Sequence, residues 1–206
     1  MDTRDGRPSF SEAVALGLVA TGAVSIGIAS IFGAVGAGFE IFGSPVAVAL
    51  PVNGAEMTSL ADADGVAAAE YTQSLVSFET LDAGTRWLLL AEAALPAVAT
   101  VIVCAALWWL GLSLIRQRAF RRSMVPMLAT AAFALIVTGM IGPLLGAIAR
   151  AQAVEQLTAS GADTDGFWMF LYELNPASVG WGIALALVGT AFEVGRRLQR
   201  ETEGLV

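Results

Sequence analysis

A chain of 206 residues that is 56% hydrophobic and only 14% charged lies well below the roughly 25% charged share of soluble domains, which points to lipid as its surroundings. It has no His, no Lys and a single Cys. These absences exclude imidazole ligands for haem or a typical zinc site, imidazole bases, Schiff bases to retinal or pyridoxal phosphate, Walker phosphate loops and paired-thiol exchange.

From Ala13 to Phe39 no residue is charged; as a helix this run rises about 40 Å, against a hydrocarbon layer of about 30 Å. It is predicted to span a membrane over 13–40. Its length exceeds the short apolar core of a cleavable signal peptide. Gly17, Thr21, Ser25, Ala29, Gly33 and Ala37 recur every four residues along it. Such a row lets helix backbones approach closely, either between copies or, more commonly, within one chain.

The outer loop 44–85 carries a period-two pattern, Val46, Val48, Leu50 and Val52 alternating with Ala47, Ala49 and Pro51, which predicts a strand near 46–52. A second strand is predicted near 72–81, with Thr72, Ser74, Val76, Phe78 and Thr80 on one side and Leu75, Ser77, Glu79 and Leu81 on the other. Strand edges here can accept a further strand or pair with each other.

The second span is predicted over 87–115, and the short link from Arg116 to Ser123 makes it an antiparallel neighbour of the third, 124–149. Pro126 fits the first turn of that third span, and Pro143 bends its far end. A second outer loop, 150–175, holds the polar turn Gly161 to Gly166 and the aromatic stretch Phe167 to Tyr172, suited to the headgroup boundary. The fourth span, 176–195, opens with Asn175 as N-cap and Pro176 in its first turn. The expected fold is a single membrane domain over 1–206: an all-α four-transmembrane-helix bundle with a small extracytoplasmic layer of β-strand-containing loop.

Nine of the eleven arginines fall at the N-terminus, in the link between spans two and three, or after span four. Such residues resist translocation, so both termini are predicted to be cytoplasmic. Arg86 and Arg150 are the two exceptions. The net charge of −7 gives nucleic acid no overall attraction, and no cofactor, metal or catalytic residue is expected.

Few residues are candidates for a site. Glu92 stands near the outer hydrocarbon edge of span two, and Glu40 at the outer end of span one. For both acids an interfacial, hydrogen-bonded role is weighed against a proton or cation relay. Arg116, Arg118, Arg121 and Arg122, with Arg196, Arg197 and Arg200 at the same membrane face, offer contacts to anionic headgroups or to a partner, beside the plain topological reading.

The chain resembles a bacterial family of four-helix membrane proteins filed as a domain of unknown function, number twenty-nine seventy-five, and its actinobacterial members above all. The likeness is carried by the ending Ala191-Phe192-Glu193-Val194-Gly195-Arg196-Arg197-Leu198-Gln199-Arg200-Glu201-Thr202-Glu203-Gly204-Leu205-Val206 and by Ala119-Phe120-Arg121-Arg122. It extends over most of the chain, including the valine-rich outer strand. Members are often encoded beside a small helix-turn-helix regulator, which implies a regulatory role. The family's usual Pro-Phe entry to span three is Ala119-Phe120 here.

These features lead to the expectation of a non-enzymatic multi-pass protein of the bacterial cytoplasmic membrane. It would act through membrane lipids and a protein partner or second copy, held by span one or the outer strands, in regulation or scaffolding. The rivals are a transport or channel component with a polar path to Glu92, and a lipid-modifying enzyme built on Glu40, Glu92, Arg150 and Glu173. A claudin-like adhesion role ranks last, because the first outer loop has no cysteine pair.

Overall fold

Apolar runs surrounded by lipid become helices because each backbone N–H and C=O must then find its partner within the segment. In a computed structural model, which describes residues 10–56, 64–65, 67–115 and 124–203, these runs form α1 (Phe10–Phe42), α2 (Ala83–Ile115), α3 (Met124–Ala159) and α4 (Pro176–Glu203). Two strands, β1 (Val46–Glu56) and β2 (Glu70–Phe78), lie between α1 and α2 in sequence. All four helices are long and apolar enough to cross a membrane, with mean hydropathy 2.0, 2.2, 2.1 and 1.5 in chain order. The chain is an all-α multi-pass membrane protein with, among the described residues, one small two-stranded sheet.

Helix ends follow local chemistry. Asn175 caps α4, its Oδ1 accepting from Ser178 N at 3.2 Å. Its own N–H donates to Gly139 O at 3.3 Å, the carbonyl that Pro143, lacking an N–H, leaves without a helical donor. Asp82 caps α2, its Oδ2 accepting from Gly84 N at 2.8 Å.

α3 continues through Ala159, past the end expected at Ala149. Arg150 ends the uncharged run, but Ala151, Gln152, Ala153, Glu155, Gln156 and Leu157 are good helix formers, and charge stops an apolar stretch without stopping a helix. The helix ends at Gly161, whose φ of 85° takes the left-handed conformation. There Ala162 N donates to Leu157 O at 3.2 Å and Gly161 N to Thr158 O at 3.0 Å, the paired bonds of a glycine C-cap.

The residues group into two compact units. Unit 1 comprises Met1–Ala34, Ala94–Met140 and Asn175–Val206. Its described residues pack parts of four helices through small side chains. A Cβ added at Gly27 of α1 would stand 3.5 Å from the Cβ of Cys104, a buried free thiol on α2. Thr138 of α3 donates its hydroxyl to Leu95 O of α2 at 3.2 Å. Between α3 and α4 the backbones come closest. A Cβ at Gly182 would meet Ile136 Cγ1 at 2.6 Å and Ala132 O at 2.8 Å, and one at Gly139 would meet Val179 Cγ2 at 2.9 Å. In lipid, where apolar burial brings no gain over lipid contact, such close approach is what holds helices together.

Unit 2 comprises Val35–Ala93 and Ile141–Leu174. β1 and β2 pair antiparallel from Val46↔Phe78 to Glu56↔Glu70, with a bulge between Pro51 and Ala55 that contains Gly54 at φ 57°. Val46, Val48, Leu50 and Phe78 form one buried face, packed with Leu81 and with Ala153 and Val154 of the α3 extension. The added turns of α3 are therefore the floor of the sheet. The other edge of β1 is covered at its far end, where Asn53 N donates to Gly166 O at 2.9 Å, Trp168 N donates to Pro51 O at 3.0 Å, and Val52 bridges Phe167.

Candidate functional site

Two ionisable groups carried by the apolar helices α2 and α3 meet in unit 2. Arg150 on α3 donates from Nη2 to Glu92 Oε1 on α2 at 2.7 Å, with the two side chains 30% and 26% exposed. Gly146, one helical turn before Arg150, makes room for the contact: a methyl there would overlap the Glu92 carboxylate. The pair cancels two charges that would each be costly alone beside hydrocarbon. It also clasps α2 to α3.

The second exceptional arginine is engaged too. Arg86 donates from Nη1 to Ile41 O at 3.1 Å and Gly43 O at 3.0 Å, and from Nε to Leu81 O at 3.2 Å. Ile41 and Gly43 lie at the C-terminal end of α1, where carbonyls have no helical donor and a cation complements the dipole. Both arginines that break the charge bias thus hold structural partners.

Below the sheet, two glutamines of the α3 extension read the chain entering α2. Gln152 Oε1 accepts from the buried Thr85 hydroxyl at 2.9 Å. Gln156 donates from Nε2 to Thr80 O at 2.8 Å and accepts at Oε1 from Asp82 N at 3.4 Å. An open groove of about 870 Å³ lies along these residues, with Asp82 and Glu155 at its rim. Its glutamines are committed to the turn between β2 and α2.

The other candidates separate from this cluster. Glu40 is exposed, and its side chain makes no hydrogen bond or ion pair among the described residues. Glu173 is likewise exposed, and neither acid joins the Glu92 and Arg150 pair. Arg116, Arg118, Arg121 and Arg122 lie outside the described residues, as do the side chains of Arg196 and Arg200. Arg197 is exposed on α4. On α1, Thr21, Ser25, Ala29 and Gly33 of the four-residue row are exposed, with open space where a Cβ of Gly33 would stand. The Thr21 and Ser25 hydroxyls bond back to Gly17 O and Thr21 O within the helix. A different row, containing Ala23 and Gly27, faces the rest of the chain.

Gly146, Gln152 and Gln156 make contacts within the fold that sequence reading did not single out. The sequence set Arg86 and Arg150 apart only as the two arginines outside the clusters, and gave no partner for Arg86. Gln152 and Gln156 share a helix face at four-residue spacing, which becomes legible once α3 is extended. No protein-family model, curated protein or solved structure matches this chain.

Proposed function

We propose that this chain is a non-enzymatic multi-pass protein of the bacterial cytoplasmic membrane, with both termini cytoplasmic, that acts through protein contacts in a regulatory or scaffolding role. The observation that carries the reading is the exposed face of α1, where Thr21, Ser25, Ala29 and Gly33 form a smooth strip between large apolar side chains such as Leu18, Ile28 and Phe32. A helix that has already used one small-residue face for its own chain keeps a second face suited to close helix contact. Four crossings return both ends to one side, and the arginine distribution favours the cytoplasm for that side. The regulatory half rests on the likeness of the run Ala191 to Val206 to the twenty-nine seventy-five family alone, a likeness that no family model reproduces.

Transport is less well supported. Among the described residues the buried polar side chains are only Thr85, Ser113 and Thr138, and the first and last of these bond within the fold. A relay would need several polar groups along one path. The lipid-modifying reading needs converging ionisable groups, whereas Glu92 is already engaged by Arg150.

Disulfide cross-linking in native membranes tests the proposal. In a Cys104→Ala background, Ser25→Cys and Ala29→Cys are expected to form cross-linked products, identified by mass, while Ala23→Cys on the packed face does not. Chains that stay uncross-linked at all three positions would overturn it.

A further inference from the structure

The segment from Phe167 to Leu174 combines two properties that conflict in most surroundings. Beyond Phe167 its side chains, Glu173 apart, are apolar and exposed: Trp168 45%, Met169 64%, Phe170 52%, Leu171 37%, Tyr172 39% and Leu174 46%. Its backbone beyond Trp168 belongs to neither helix nor strand. In water, six such side chains within seven residues, interrupted by Glu173 alone, form an apolar patch that soluble proteins avoid. In the hydrocarbon, irregular backbone exposed to lipid leaves peptide groups without partners and does not occur. The boundary between headgroups and acyl chains satisfies both demands, since peptide groups there reach water while the side chains reach the chains. Trp168 and Tyr172 are the residue types that favour this depth.

Two further features fix the occupant as lipid. The segment is continuous in sequence with Pro176, where a helix long and apolar enough to cross a membrane begins, so its last residue stands two positions from chain that meets lipid. At its other end it is anchored, with Phe167 bridged to Val52 and packed against the sheet core, and Trp168 N bonded to Pro51 O. We propose that Phe167 to Leu174 is an interfacial membrane anchor that, through Phe167 and Trp168, ties the edge of β1 to the headgroup and acyl boundary of the leaflet. This stands whether or not α1 binds a partner.

The test is depth-resolved quenching in vesicles of phosphatidylethanolamine and phosphatidylglycerol. The full chain keeps Trp168 alone, through Trp87→Phe, Trp108→Phe, Trp109→Phe and Trp181→Phe. Lipids brominated near the carbonyl end of the chain are expected to cut its emission by about half, more than lipids brominated near the methyl end, with little quenching by aqueous iodide. Should the four replacements prevent folding, a nitroxide at Met169→Cys in the Cys104→Ala chain reports depth by its accessibility to oxygen and to a water-soluble nickel complex. Ready access of the aqueous quencher without bromolipid quenching would overturn the proposal. So would strongest quenching from the methyl end, or protection from both quenchers, which would mean that a second copy or another protein covers the segment.

Discussion

α1 and α3 have almost the same mean hydropathy, 2.0 and 2.1, yet 11% of the apolar window is buried in α1 and 39% in α3. On α3 the buried positions include Met124, Leu128, Ala131, Ala132, Thr138, Gly139, Gly146, Ala147, Ala149, Ala153 and Val154; among the described side chains of α1 they are Ala23 and Gly27. The difference teaches that in lipid a hydrophobic side chain gains nothing by choosing the protein interior over the bilayer. Volume decides instead, through the places where a missing side chain lets another helix or a polar group approach. Glycine shows this most plainly, since Gly139, Gly146 and Gly182 each meet a neighbour that a Cβ would strike, while Gly17, Gly22, Gly33 and Gly36 meet nothing within 4 Å.

The contrast can be broken most forcefully at Gly182. Gly182→Leu would drive a side chain into the Ala132 carbonyl, a backbone group that cannot turn aside, and is expected to cost about 3 kcal/mol or to prevent folding. Unfolding in mild detergent against added denaturing detergent measures it. Arg150→Ala comes next, at about 1–3 kcal/mol, because it strands the Glu92 carboxylate; partial exposure of both groups keeps the loss below that of a fully buried pair. The exchange Glu92→Arg with Arg150→Glu should recover part of that loss.

Gly146→Ala is expected to cost less than Arg150→Ala, since the carboxylate can swing away and alanine returns about 1 kcal/mol of helix propensity. Its sharper signature is coupling: in a double-mutant cycle, Arg150→Ala should cost less in the Gly146→Ala chain than in the parent. The smallest effect belongs to α1. Gly33→Leu should leave stability within about 0.5 kcal/mol while suppressing cross-linking through Ser25→Cys. If Gly33→Leu destabilised the protein as much as Gly182→Leu, the distinction between the two helices would fail.

Much of the framework was legible in the residues. Asn175 followed by Pro176 marks the start of α4 because an amide side chain caps and a first-turn proline loses no bond. The alternation from Val46 to Val52 marks β1 because period two is how a strand separates its faces, and Val46, Val48 and Leu50 are the buried side. The second strand was placed near 72–81, and β2 runs over Glu70–Phe78, because Asp82 and the residues before it turn the chain into α2. The extension of α3 is hidden because Arg150 ends the apolar run, and hydropathy marks the end of a span but not the end of a helix. The pairing of Glu92 with Arg150 was hidden for a different reason: it joins residues 58 positions apart, and no local pattern specifies which of several distant charges will meet.

By itself the sequence determined the apolar surroundings, the four long apolar helices, the start of α4 and the alternating strand, because each depends on properties summed or repeated over neighbouring residues. Tertiary structure alone decided which small-residue row of α1 stays open, which glycines are contacts, and what Arg86 and Arg150 hold. Those outcomes depend on separations of a few ångströms between segments far apart in the chain. In a bilayer, hydropathy is nearly silent about such separations.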